Sequence, residues 1–313
     1  MVRATKVQRT PTRVRVVVTC THRKTRPVPK GLRLSSITSI RTSTRLDRWI
    51  RKLGDSTMPA TSAFCLYAGE HWDVVRQLSS NSSNRAVELW VCSAGYGLVP
   101  AEAPLRPYSA TFSAGNADSV PDGAVAWWTA LSSWEGPHGG PRSLTQLVAD
   151  DPTARTILVL SPPYLRACRD DILEAAEALA DRKSLSIISA GTKGDLELGE
   201  FLLPVDARLQ HLLGGTRQAL NIRVAEHLLA GGTTTHNRMY ASLTRLLAEQ
   251  PAIPRYERRV VTDAQVSAFI RRRARADGNT THTRLLREFR DSGYACEQAR
   301  FASLFMEEMK MTR

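Results

Sequence analysis

The chain has 313 residues, 42% of them hydrophobic and 23% charged. These proportions exclude wholesale disorder, and with no run of about 18 apolar residues a transmembrane helix is excluded too. Lysine and arginine number 43 against 30 acids, a net charge of +13 that is concentrated at one end: residues 1–53 hold 15 basic residues and one acid, Asp47, while the other 260 hold 28 basic and 29 acidic.

A near-neutral body with one strongly basic end points to a polyanionic partner, most simply nucleic acid; the plain alternative is a solubilising basic terminus. The five cysteines, Cys20, Cys65, Cys92, Cys168 and Cys296, are odd in number and widely spaced. That fits reduced thiols and a cytoplasmic location better than a disulfide framework. No CxxC, HExxH or Cys/His cluster occurs, so neither a metal nor a cofactor is expected. No apolar segment follows the basic start within 15 residues, so a secretory signal is not expected, nor any association with a membrane.

In chain order, residues 1–13 read as a flexible basic arm. Residues 14–19 (VRVVVT) are a β-branched run and the first strand. A Pro-bounded basic loop follows to residue 34, and 41–53 has helical spacing through Leu46, Trp49, Ile50 and Leu53. Residues 63–68 (AFCLYA) read as a second strand and 70–78 as a helix. A Ser/Asn-rich loop over 79–84 leads to a third strand over 87–92 (VELWVC). The stretch 93–123 is a long loop rich in Gly, Pro, Ser and aromatics, of a length that is uncommon without a function. Helices are expected over 124–134 and 143–150, a fourth strand over 156–160, an amphipathic helix over 164–180 and a fifth strand over 185–189. Short edge strands are expected over 201–204 and 209–213, then a helix over 218–230.

Apolar strands alternating with helices give an α/β domain over residues 14–230 with a parallel sheet covered on both faces. Ligands of such sheets collect beyond the carboxyl ends of the strands. Here those ends carry small, polar or glycine-bearing sequences, among them Cys20-Thr21, Ser93-Ala94-Gly95 and Ser189-Ala190-Gly191. Residues 231–260, with GGTTTHN and two prolines, read as a linker. Residues 261–313 read as a helical, helix-turn-helix-like module, with Gln298 and Arg300 on a second helix that could lie on DNA and Arg271, Arg272 and Arg273 as a basic cluster.

Several segments could carry chemistry. Ser93-Ala94-Gly95-Tyr96-Gly97 closes a strand with glycines that permit close backbone approach and with N–H groups able to cradle an anion. Beyond it, one loop supplies Arg106, Tyr108 and Asp118; the structural alternative is an Ω-loop whose aromatics only pack. Ser189 and Lys193 lie in a short polar run that is not a Walker loop. The Gly214-Gly215 turn before a helix, with Arg217 and Asn221, is either an anion site or a plain glycine turn. His22, His71, His138 and His211 are scattered, and Trp127, Trp128 and Trp134 at helical spacing read as core.

Cys20…Lys24, Leu66-Tyr67-x-Gly69, the SAGYGLV run at 93–99, Pro107-Tyr108 and Thr111-Phe112 together resemble a bacterial and archaeal family of small nucleotide-associated domains. That family is related to the YaaA-like peroxide-stress proteins and similar in fold to uracil-DNA glycosylases. The likeness spans roughly residues 14–230. The family often has Lys where Gly95 stands and Asp where Ser109 stands. The arrangement also resembles bacterial defence glycosylases that remove glycosylated cytosines from phage DNA.

The resemblance implies an N-glycosylase acting on a modified base in double-stranded phage DNA. Such an enzyme needs a carboxylate to orient water or stabilise the sugar cation, donors for the leaving base, and a pocket for the flipped nucleotide. Asp118 is the first candidate acid, followed by Glu70 and Asp73, with Tyr108 beside them. Cys20, Ser93, Gly95, Tyr96, Ser189 and Lys193 would line the substrate. Arg23, Lys24, Arg26, Arg106, Arg217, Asn221, Arg271, Arg272, Arg273 and Arg300 would grip DNA. The alternatives are a non-catalytic DNA-binding stress protein and a tRNA base-exchange enzyme.

Overall fold

The computed structural model describes residues 13–38, 42–81, 87–120, 123–192, 196–252, 257–276 and 280–311. The basic arm over 1–12, loop residues 82–84, linker residues 253–256 and Lys193 lie outside them. The chain divides into two compact units, one ending at Pro251 and one beginning at Ala252.

In the first unit, β1 (Val14–Thr19) leads through two 3-10 turns to α1 (Thr42–Asp55). Then come β2 (Thr61–Ser62), α2 (Ala63–Leu66), α3 (Glu70–Asn81), β3 (Val87–Ser93), β4 (Gly97–Pro100) and β5 (Pro104–Leu105). Next are α4 (Ala124–Ser132), α5 (Leu144–Asp150), β6 (Arg155–Val159), α6 (Pro162–Ala167), α7 (Arg169–Ala178) and β7 (Leu185–Ile188). The helices α8 (Leu209–Leu213), α9 (Leu220–Ala230) and α10 (His236–Ala248) finish the unit.

The fold is α/β. Its central sheet has the order β4-β3-β1-β6-β7, with β3, β1, β6 and β7 parallel and β4 antiparallel at one edge. All six residues of β1 are buried, as a central strand covered on both faces requires. Its one charged residue, Arg15, is fully buried and bonds Glu88, Asp150 and the Asp151 carbonyl. From β1 the chain moves to one side to form β3, then crosses to the other side for β6. The carboxyl ends of β1 and β6 therefore flank the switch point where open α/β sheets place their ligands.

Four sequence expectations change. Residues 63–66 form a helix, not a strand. Ser62 Oγ caps it by accepting from the Cys65 N–H, and an apolar run this short has no period that separates a strand from a buried helix. The helix expected over 164–180 breaks at Cys168 into α6 and α7. Residues 209–213 are helical, while Leu202 makes only a single parallel bridge to Ile187. The stretch read as a linker contains α10, whose Met239, Leu243 and Leu247 join the first unit's core.

The second unit holds α11 (Asp263–Ala276), α12 (His282–Asp291) and α13 (Gln298–Met311), with β8 (Arg259–Val260) paired to β9 (Tyr294–Ala295). Val266, Phe269, Ile270, Leu285, Leu286, Phe289 and Phe301 form a core of its own. Thr281 caps α12, and Gly293, with φ +84°, closes the turn after it. Among the described residues no helix is long and apolar enough to cross a membrane.

Candidate active site

Beside the carboxyl end of β1 lies the turn joining β3 to β4. Gly97 has φ +74°, the left-handed conformation that a three-residue hairpin loop demands. The N–H groups of Gly95 and Tyr96 both donate to Ser93 Oγ, at 3.3 and 3.0 Å. They therefore satisfy a side chain of the turn itself and do not form the anion cradle expected there. Two indoles hold the turn's carbonyls: Trp127 donates to Ala94 O at 2.9 Å and Trp49 to Gly95 O at 2.8 Å. Arg142, buried and without a carboxylate, donates to the carbonyls of Tyr96, Leu98 and Trp134. Desolvation lowers its pKa to about 10.

The small residues of this turn do not open a nucleoside-sized hollow. A Cβ at Gly95 would lie 2.4 Å from Cε2 of Tyr108 and 3.2 Å from Trp49, so the glycine makes room for protein. Tyr96 and Tyr108 are both buried. The Tyr96 hydroxyl accepts from the Arg106 N–H at 3.1 Å, and its ring stacks on Trp134 at 5.9 Å. Both tyrosines thus belong to the layer beneath the site and are not stacking platforms for a base.

Above that layer lies a network of hydroxyls and a thiol. Tyr108 Oη is 2.7 Å from Ser93 Oγ and 2.9 Å from Tyr67 Oη. Cys20 Sγ, at the end of β1, is 3.1 Å from Tyr164 Oη on α6. Burial raises the pKa of all three phenols, so they stay neutral donors. Half-buried Lys24 covers this network. Its Nζ lies 4.5 Å from the ring centroid of Tyr108 and 4.9 Å from that of Tyr67, and it donates to the Thr21 carbonyl.

The rim carries an acid, a hydroxyl and an imidazole. Asp118 is only 2% exposed. Its Oδ1 accepts from the Ser35 N–H at 2.9 Å, and Arg33 lies 3.9 Å from Oδ2. Burial pushes the Asp118 carboxyl up, but the hydrogen bonds from Ser109 and Ser35 and the Arg33 charge outweigh it and hold the group below its usual range. Ser109 Oγ lies 3.4 Å from Nδ1 of exposed His22. An ionised Asp118 can only accept. At 3.4 Å, Ser109 Oγ can accept from His22 in the tautomer that carries its proton on Nδ1. That tautomer leaves His22 Nε2 a base facing solvent.

The other expected site residues have different tasks. Glu70 bonds Arg223 at 2.8 Å and the Thr216 N–H at 3.0 Å. Those hydrogen bonds, Arg223 first, lower its pKa. The glycine turn does bind an anion, but the anion is Glu70 itself, and a Cβ at Gly215 would strike it at 2.2 Å. Glu70 is a tie between helices and not a free acid, and Asp73 pairs with Arg76. Asn221 accepts from the Ala190 N–H and donates to Leu160 O, joining the ends of β6 and β7. It is a brace in place of the expected DNA contact. Arg106 caps the end of α1 through Leu53 O and also bonds Met58 O. Ser189 is buried, with Oγ 2.9 Å from Thr192 Oγ1.

Arg23, Arg26 and Arg217 are exposed. In the second unit Arg271 pairs with Glu308, Arg273 with Glu288 and Arg300 with Asp263, while Arg272 sits 5.7 Å over Phe269. The Arg273–Glu288 and Arg300–Asp263 pairs are exposed and worth at most about 1 kcal/mol each, so they compete weakly with a phosphate, whereas Glu308 in the Arg271 pair is buried.

Sequence reasoning missed Tyr164 and Arg142, gave Ser109 and Tyr67 no role beyond the family resemblance, and took His22 as one of several scattered histidines. Only the position of His22, three residues past the end of β1, was a usable signal. In comparisons with known proteins, no family model and no curated protein matches this chain.

Proposed function

We propose that the protein is a DNA glycosylase that hydrolyses the N-glycosidic bond of a modified base, as in phage DNA carrying glycosylated cytosines. The observation that carries this reading is the His22–Ser109 contact with the buried Asp118 carboxylate nearby, at the carboxyl ends of a parallel sheet, within a chain whose first 53 residues are strongly basic. The likeness to uracil-DNA glycosylases and to defence glycosylases favours the same reading. So does Asp118, which places a carboxylate near Ser109, the position where the resembling family often carries its aspartate.

In this reading the flipped nucleotide lies outside the tyrosine layer, against His22, Lys24 and the mouth between β1 and β6. His22 Nε2 takes a proton from the water that attacks C1′. The base departs with the electron pair of the C–N bond and is protonated by solvent. Ser109 and Asp118 hold the imidazole in the required tautomer and stabilise the imidazolium that forms, so Asp118 is a positioning residue. Exposed Arg23, Arg26 and Arg33 face the DNA backbone, and the basic arm and the helical second unit add further grip.

The test is formation of abasic sites in phage DNA bearing glycosylated cytosines. His22→Gln lowers the rate by about 100-fold or more, as loss of a general base does. Asp118→Asn lowers it less, and both variants bind the DNA as the parent does. If the parent binds this DNA and forms no abasic sites, the protein is a binder alone. If both variants keep full activity, the assignment of the site is wrong.

A further inference from the structure

Lys24 has a setting that the hydrolysis above does not use. Its Nζ lies over the faces of Tyr67 and Tyr108 and donates to the carbonyls of Thr21 and His22. No described carboxylate pairs with it: Asp118 is committed to Ser35, Ser109 and Arg33, and Glu70 to Arg223 and Thr216. The Lys24–Tyr67 backbone bridge and the Thr25 N–H to Leu66 O bond fix the segment in place. Desolvation lowers the amine's pKa to about 8, so about a tenth of it is unprotonated at pH 7, far more than for an ordinary lysine. A phosphate-gripping lysine needs none of this: it serves best as a fully charged, hydrated cation.

We propose that Lys24 is a nucleophile that forms an imine with the C1′ aldehyde of an abasic nucleotide, so that the protein cleaves the strand as well as removing the base. A desolvated lysine without an acidic partner is the usual form of an imine-forming amine. The Tyr67 and Tyr108 faces would in turn stabilise the cationic iminium. The Nζ lone pair attacks C1′, the C–N bond forms and the carbonyl oxygen leaves as water. The iminium then releases a C2′ proton to solvent, and the 3′-phosphate departs with the C3′–O electron pair. Hydrolysis of the remaining imine returns Lys24. The inference rests on the glycosylase reading only for the source of the aldehyde.

The experiment therefore supplies the aldehyde ready-made: duplex DNA with a single abasic site, incubated with the full chain and sodium cyanoborohydride. The expected result is a covalent protein–DNA adduct whose cross-linked peptide contains Lys24, together with strand scission when reductant is omitted. Lys24→Arg, which keeps the charge, lowers adduct yield and scission roughly tenfold or more at protein concentrations that saturate the duplex. Should that variant fold poorly, reductive methylation of the folded parent, mapped to Lys24, abolishes the adduct instead. An adduct on another amine, undiminished trapping in Lys24→Arg, or no adduct from parent protein that binds the duplex would overturn the proposal. None of these outcomes depends on whether the protein excises a base.

Discussion

The ring of Tyr108 occupies the space that a side chain at Gly95 would need, with a Cβ there 2.4 Å from Cε2 and 2.5 Å from Cδ2 of the ring. Gly95 itself does not have a positive φ, so what it contributes is volume and not backbone freedom. The Tyr108 hydroxyl, held by Ser93 and Tyr67, cannot swing aside without breaking two buried hydrogen bonds. A lysine at this position would require a different placement of the Tyr108 ring.

Gly95→Ala is therefore expected to destabilise the fold by about 1–3 kcal/mol, the usual cost of overpacking a core. Shrinking the obstacle relieves that cost: in the background of Tyr108→Leu the same substitution is expected to cost much less. Denaturant unfolding of the two single variants and the double variant measures the coupling. Additive effects would mean that the ring does not fill the space above Gly95.

His71, near the start of α3, is packed with no hydrogen-bond partner for its Nε2, and desolvation lowers its pKa to about 4. In the unfolded chain it titrates near the ordinary 6.5. Between those values the unfolded state binds the proton and the folded state does not, so stability falls as pH drops from about 6.5 to 4. The slope from this one group is about 1.4 kcal/mol per pH unit. His138, also lowered to about 4 by burial, adds in the same window. Asp118, Glu70 and Asp206, whose pKa values are lowered from ordinary carboxylate ones, lose their contribution from about pH 4.5 downward, at and below the lower end of that window. Chemical denaturation at pH 7, 6, 5 and 4 is expected to show a shallower loss for His71→Leu than for the parent. Identical slopes would contradict the buried, neutral histidine.

How much of this was legible in the sequence depends on which residues are considered. The strand β1 was plain because six consecutive residues, five of them β-branched, are all buried. The helix α2 was not, because four apolar residues carry no periodicity and only the Ser62 cap distinguishes them. Asp118 was singled out from its loop, and it does lie near the strand ends. What the loop could not reveal is that the Ser35 N–H, 83 residues away, binds its carboxylate. Glu70 and Asn221 read as site residues because they stand at strand and helix termini. Their partners, Arg223 and the ends of β6 and β7, are set by tertiary packing alone. Arg142 carried no signal at all, since a lone arginine after a Gly-Pro loop looks like surface until the carbonyls that surround it are known.

The most direct test of the central claim is the identity of what leaves the DNA. Purified protein is incubated with phage DNA containing glycosylated cytosine and with the same sequence containing plain cytosine, and the low-mass fraction is read by mass spectrometry. The account predicts free glycosylated base, in amounts equal to the abasic sites formed, from the modified DNA alone and only with His22 intact. DNA that is bound but releases no free base, or release that persists undiminished in His22→Gln, would contradict it.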